Sequence, residues 1–310
     1  MLPSFDHFVI RPIHDVGFKA LFGHPFDPDC LLLRDFLESI YHKHFDILEF
    51  QDREITPEQI LSKSIRLDLR LHCDMIYYNL EMQMIPTGSE AERALYYVSL
   101  SIQDQTLQGK LYSDIEPVVQ VFLLGENTRK FLHPVLHYEL VDSEYHTLLT
   151  DKIKITMISI KRVIEKITDF NRMSEFEKWC VFFEYGHDEN HTFTQRLLKE
   201  DKFRKAVNIM KHVNRDKALK EAAFVKMREE MDQRTRLYNA DKEGEQRGLH
   251  QGIMETMKVI HLLKQGDSPE IISQQVSLTL TEIKEISRQM EEPVSFAAKT
   301  KSEPSLQDSF

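Results

Sequence analysis

The residues whose types and spacing offer the most chemistry lie in IRLDLRLHCDMIYYNLEMQ, residues 65–83. Two runs alternate apolar and polar with period two around a short turn, the pattern of a β-hairpin. Alternation puts Arg66, Asp68 and Arg70 on one face of the first strand, and Tyr77, Asn79, Glu81 and Gln83 on one face of the second. For both apolar sets to reach one core, both polar sets must lie together. A tight turn at Cys73-Asp74 then sets Asp68 opposite Asn79 or Glu81, depending on register, and either register keeps the two carboxylates within one or two cross-strand positions. Like charges that close raise one pKa unless a cation separates them. A hard divalent cation with oxygen ligands meets that need, and Mg²⁺ uses one or two carboxylates plus substrate phosphate. A plainer reading stands beside this one: Asp68 and Glu81 as rim acids, paired with Arg66 and Arg70 on a solvated face.

The elements that must hold this hairpin are legible on both sides of it. Residues 29–44 place Leu32, Leu33, Phe36, Leu37, Ile40 and Tyr41 on one helical stripe. Residues 91–110 read as a helix ending at Gly109, a C-cap candidate. Three strands are expected at 117–125, 134–140 and 152–160, the first so continuously apolar (PVVQVFLLG) that it suits a central strand covered on both faces. Beyond about residue 170 the pattern becomes helical, over 174–185, 192–213 and 215–237. Gly244, Gly248 and Gly252 then recur every four residues, which in a polar context predicts a weak helix or a hinge. Residues 253–289 read as three short helices, with Ser268-Pro269-Glu270 opening the second and Thr279/Glu282 in capping-box spacing at the third. The order resembles a helix-turn-helix, but the expected recognition helix EIKEISRQM is too acidic to favour DNA reading over oligomerisation or capping. The tail from Glu291 is Ser-, Pro- and charge-rich, the composition of a disordered segment. The expected organisation is a domain over 1–165, a basic helical region over 166–240, a small helical module over 241–290 and a tail over 291–310.

Composition narrows the class. Hydrophobic residues at 41% and charged residues at 29% suit a soluble globular chain. No apolar run approaches the roughly 20 residues that cross a bilayer, and MLPSFDHFVI lacks the charged and apolar regions of a signal peptide. Three scattered cysteines (Cys30, Cys73, Cys180) argue for a reducing, cytoplasmic setting. The net charge of −10 is uneven: residues 192–240 hold 13 Lys/Arg against 7 Asp/Glu. A basic segment on an acidic body suits phosphate contact, and equally suits a solvated helix surface.

IHDVGFKALFG (13–23), LDLRL, NLEMQ, ERALYY and QGKLYSDIEPVVQV together resemble the Rpn family, recombination-promoting nucleases within the PD-(D/E)XK superfamily. The resemblance runs on through the Trp179 region, the basic helices and the glycine run, so it covers nearly the whole chain. It implies an α/β, restriction-endonuclease-like core, a mixed sheet flanked by helices, followed by an α-helical C-terminal region. It also implies divalent-metal-dependent hydrolysis of DNA phosphodiesters, with Mg²⁺ (or Mn²⁺) as cofactor. Position by position, Asp68 is the motif aspartate, Glu81 the second carboxylate and Gln83 the third motif residue, where the wider superfamily commonly has lysine. Glutamine hydrogen-bonds but carries no charge, so the metal has more to do, and Lys19 is a candidate for the missing cation. Asp15, four residues before it, is a candidate further metal ligand; the alternative is an i,i+4 surface pair. Arg93 and Tyr97 share a helical face and are substrate-binding candidates, for phosphate grip and stacking, or a packing pair. Glu38 occupies a place where related nucleases sometimes carry an additional acid. The expected partner is DNA, with a homodimer suited to double-strand cleavage. Two other readings stay open: a weakly catalytic DNA-binding or assembly module that keeps the fold, and a nuclease acting on RNA.

Overall fold

A computed structural model of the chain describes residues 4–23, 27, 29–46, 48–50, 69–105 and 111–291. Asp68, Arg66 and the expected C-cap Gly109 lie outside the described residues.

Among the described residues six strands form one mixed sheet in the order β1-β2-β3-β4-β6-β5. They are β1 (Glu49–Phe50), β2 (Leu69–Cys73), β3 (Ile76–Gln83), β4 (Val118–Leu124), β5 (Val135–Val141) and β6 (Leu148–Ser159). β2 runs antiparallel to both β1 and β3, β3 to β4 and β4 to β6 are parallel, and β5 closes one edge antiparallel to β6. All seven residues of β4 are buried, the consequence of a strand flanked on both sides and covered on both faces.

The β2–β3 hairpin closes one residue later than the sequence suggests. Asp74 and Met75, not Cys73-Asp74, form its turn, both at positive φ (52° and 58°), as a two-residue turn matched to strand twist requires. The resulting register pairs Leu69 with Leu80 and Arg70 with Asn79.

The helices in chain order are α1 (Asp15–Phe22), α2 (Leu31–Tyr41), α3 (Glu90–Gln103), α4 (Ile160–Glu165), α5 (Glu175–Tyr185), α6 (Thr192–Leu197), α7 (Asp201–Arg215), α8 (Lys217–Gln265), α9 (Pro269–Ile272) and α10 (Leu280–Glu291). α3 stops at Gln103, capped by Asp104 rather than by Gly109. The helix expected over 192–213 is broken into α6 and α7, with Glu200 extended between them as the cap of α7.

Tyr78, Leu80 and Met82 of β3 and Val119, Val121 and Leu123 of β4 face the main core. There α1, α2, α5 and α7 contribute Phe18, Phe22, Phe36, Trp179, Phe183 and Phe203. Ring pairs such as Phe22–Phe36 (5.4 Å) and Trp179–Phe203 (5.0 Å) lie in the favoured aromatic range. Gly17 is needed in α1 because a Cβ there would collide with the Arg11 carbonyl. Helices α5 and α7 and the start of α8 therefore share a core with the sheet, and two lysines of α7 reinforce that union. Lys202 pairs with Asp35, which also accepts the Trp179 indole N–H, and Lys205 pairs with the buried Asp27.

The chain divides into two compact units, residues 1–235 and 236–310, with the boundary inside α8. In the second, Val259, Ile272 and Ile283 make a small core between the end of α8, α9 and α10. The capping box is present: Glu282 accepts from Thr279 N and Oγ1, both at 2.7 Å, and Thr279 Oγ1 accepts from Glu282 N. Gly244, Gly248 and Gly252 are helical, in one helix with their neighbours rather than at a hinge, with open space around each. Good helix formers on either side offset their intrinsic cost. No helix among the described residues is long and apolar enough to cross a membrane. Cys30, Cys73 and Cys180 are buried.

Candidate active site

Strand alternation sends Asn79, Glu81 and Gln83 to the opposite face of β3 from Leu80 and Met82. This second face is covered by α3, and its core is Ala94, Tyr97, Phe122, Leu124, Phe131 and Met157. Glu81 lies beside Phe122 of β4 in the parallel register. Its carboxylate is buried, at 5% exposure, so it must be compensated. Arg93 of α3 supplies one such partner, as an ion pair to Glu81 Oε1. The same guanidinium reaches Tyr97 Oη at 3.3 Å and sits 5.8 Å from the centroids of the Tyr97 and Phe122 rings. Arg93 and Tyr97 are in contact as their helical spacing predicts, and Arg93 is tied to the acid as well. Tyr96, its neighbour, is half exposed.

Gln83 ends β3 and is 8% exposed. Its carbonyl receives Gly125 N–H at 2.9 Å, joining the strand end to the loop after β4. Its side-chain Nε2 donates to Thr87 Oγ1 at 3.5 Å, while Oε1 is buried without a hydrogen-bond partner among the described residues. Deeper along the same face, Asn79 donates to Ser101 Oγ at 2.8 Å, and Gln120, paired with Asn79 in the sheet, is fully buried with neither side-chain atom bonded among the described residues.

Asp15 and Lys19 pair on α1 at 2.8 Å, and the buried Asp15 carboxylate is also held by Lys226 of α8. Burial pushes the Lys226 amine down from its ordinary pKa. The expected pair is real but belongs to a three-residue cluster, with α1 packing its apolar side on the Leu80/Met82 face. Glu38 is spent at the end of α2, accepting from His44 Nδ1 (2.7 Å) and Phe45 N (3.2 Å). Arg70, expected near the acids, instead pairs with Asp104 at 2.6 Å and stacks over Tyr77.

The structure therefore gathers Glu81, Arg93 and Tyr97 at one place with Gln83 on the same strand face, and Asp15 with Lys19 at another. Asp68 immediately precedes Leu69, whose strand partner Leu80 immediately precedes Glu81. Among the described residues no three His, Cys, Asp or Glu side chains lie together as a metal-binding group. The donors at hand still suit a hard cation: a buried carboxylate and an amide oxygen without another bond among the described residues, both oxygen ligands. Sequence reasoning missed Lys226, Glu90 and Gln120. Gln120 alone carried a signal, as the one polar residue interrupting VVQVFLL.

A mixed sheet flanked by helices, with a buried carboxylate on a central strand, defines a restriction-endonuclease-like core. The chain belongs to the PD-(D/E)XK nuclease family transposases, whose family model matches residues 12–240. No curated protein and no solved structure matches it. Nuclease-type chemistry linked to mobile elements is what that membership supports.

Proposed function

We propose that the protein is a divalent-metal-dependent endonuclease that hydrolyses DNA phosphodiester bonds in recombination or the movement of mobile elements. The observation that carries this reading is the buried Glu81 on the central strand of the nuclease core, two residues before an amide oxygen held without a hydrogen-bond partner among the described residues. Asp68 and Glu81 would hold Mg²⁺ or Mn²⁺. When bound, the ion supplies a water of lowered pKa and positive charge opposite the reacting phosphate.

The chain's own residues do the rest. Gln83 accepts a hydrogen bond from the attacking water and so orients its lone pair. Arg93 neutralises Glu81 in the free protein, and its fork of donors is suited to a non-bridging phosphate oxygen once Glu81 turns to a cation. Lys19, anchored by Asp15, offers a fixed positive charge rather than a wandering one. Asp15, holding two lysines, serves better as their anchor than as a metal ligand. Phosphate-backbone contact falls to bases of 192–240 other than Lys202, Arg204, Lys205, Lys211, Lys217 and Lys226, each of which is ion-paired with an acid of the first unit.

A second reading, a binding or assembly module that retains the fold, is favoured by one observation: Arg93 already bonds the Glu81 carboxylate. Supercoiled plasmid incubated with Mg²⁺ or Mn²⁺ and wild type, Asp68→Ala or Glu81→Ala separates the two. Nicking by wild type alone supports the nuclease; equal nicking by all three, or none by any, overturns it.

A further inference from the structure

Gln83 stands where a cationic lysine would donate, and an amide offers both a donor and an acceptor. The turn after β3 decides which of the two it presents. Gln83 Nε2 reaches Thr87 Oγ1 at 3.5 Å, and Thr87 Oγ1 lies 3.2 Å from Glu90 Oε1 and 3.0 Å from Ser89 Oγ. Glu90 Oε1 also takes the backbone N–H groups of Thr87 and Gly88, the latter at 2.9 Å. An oxygen receiving two backbone donors can only accept from the Thr87 hydroxyl as well. Of the two oxygens near the Thr87 hydroxyl, the Glu90 carboxylate is the stronger acceptor and receives its proton, so the Thr87 lone pairs are left for Gln83 N–H. Gly88, at φ 90°, permits the turn that brings these backbone donors round.

Turning the amide over would set Gln83 Oε1 against an oxygen with no proton to give. The bonds run one way, from Gln83 to Thr87 to Glu90, and they leave Gln83 Oε1 as a buried acceptor without a partner among the described residues. Glu90 is itself fully buried, and its second oxygen is likewise unbonded among the described residues. A turn cap needs only one exposed side chain. Burying an acid at this position is costly, and the cost is understandable if its acceptor fixes something beyond the turn.

We propose that Glu90, through Thr87, is a positioning residue that locks the Gln83 amide so that position 83 works as a neutral oxygen donor to a divalent cation or its water. This rests on the nuclease reading for the identity of the ion. It places Gln83 with Glu81 as a ligand-side group rather than as a weak substitute for lysine, and assigns the cationic role elsewhere, to Arg93.

The test uses the full chain with Mn²⁺ as the probe, read by titration calorimetry, alongside plasmid nicking against Mn²⁺ concentration. Thr87→Val removes the relay at constant shape, Thr87→Ser restores it, and Gln83→Glu and Gln83→Lys exchange acceptor for donor. The expected result is an affinity loss of about tenfold or more in Thr87→Val with the unfolding midpoint little changed. Thr87→Ser should return towards wild type, Gln83→Glu should bind at least as tightly, and Gln83→Lys should lose the ion. Wild-type affinity in Thr87→Val, or binding kept by Gln83→Lys and lost by Gln83→Glu, overturns the proposal, as does no Mn²⁺ binding by wild type. Binding without nicking overturns the nuclease reading alone, because the calorimetric comparison still decides the orientation of Gln83.

Discussion

The two faces of β3 and β4 are built from alternate residues of the same strands, yet they differ in kind. Towards α1, α2 and α5 the strands present Tyr78, Leu80, Met82, Val119, Val121 and Leu123, closed by a cluster of aromatic rings. Towards α3 they present Asn79, Glu81, Gln83 and Gln120, all buried, with Gln83 and Gln120 only partly or not hydrogen-bonded among the described residues. Burial of apolar surface stabilises the first face. Burial of polar groups costs free energy on the second unless each group is paired. One side of the sheet thus carries the stability that lets the other side keep a carboxylate and amides out of water, and that division can be broken experimentally.

The largest effect is expected on the aromatic face. Trp179→Ala removes a fully buried ring and the indole bond to Asp35, and should cost about 3–5 kcal/mol in urea unfolding. A loss below about 1 kcal/mol would mean that this face is not where stability resides. On the polar face, Arg93→Met takes away a cation from the buried Glu81. A fully buried pair would lose about 3–5 kcal/mol, and the partial exposure of Arg93 reduces this to about 2. Mg²⁺ should then raise the melting temperature of Arg93→Met more than that of wild type. An equal rise in both would break the link between Arg93 and the ion.

The aromatic face also predicts a pH dependence. His14 stacks on Phe8, accepts Arg11 N–H at Nδ1, and is held neutral, its pKa lowered to about 3 by burial first and then by the charges of Arg11 and His187. The unfolded chain takes up a proton near pH 6.5 while the folded chain does not, so stability is lost as pH falls from about 6.5 towards 3. The loss attributable to His14 reaches up to about 2 kcal/mol at pH 5. Unfolding curves of His14→Gln should be flatter over this range, and identical slopes would exclude His14 as the cause. The smallest effect sharpens the comparison most. Gln120→Met replaces an unbonded amide by an apolar chain of similar shape, and should be neutral or stabilising by about 0–1 kcal/mol. A clear destabilisation would show that the polar face is better satisfied than its hydrogen bonds suggest.

Much of this was legible in the residue order. The hairpin, the buried central strand 118–124, the helices at 31–41 and 175–185 and the capping box at Thr279 all follow from short-range periodicity and cap chemistry. Where local rules competed, the reading slipped. Cys73-Asp74 and Asp74-Met75 both suit a turn, and only the cross-strand pairing chose the second. Three glycines left 244–252 open between a weak helix and a hinge, and the helix formers around them decided for the helix. Bases at 192–240 suited either phosphate contact or a solvated helix surface, whereas Lys202, Lys205 and Lys226 pair with acids of the first unit.

By itself the sequence determined which side chains share a strand face, because the side-chain period of two is a property of the backbone and needs no neighbour. It therefore put Glu81 and Gln83 together and marked Arg93 and Tyr97 as a pair. Only the tertiary structure decided what each of them touches. Arg93 reaches Glu81 because α3 folds back across β3, Lys226 reaches Asp15 across 211 residues of chain, and Glu90 reaches Thr87 because the turn after β3 reverses. Such contacts depend on how elements pack, and packing is set by the whole apolar surface rather than by the spacing of the residues that meet.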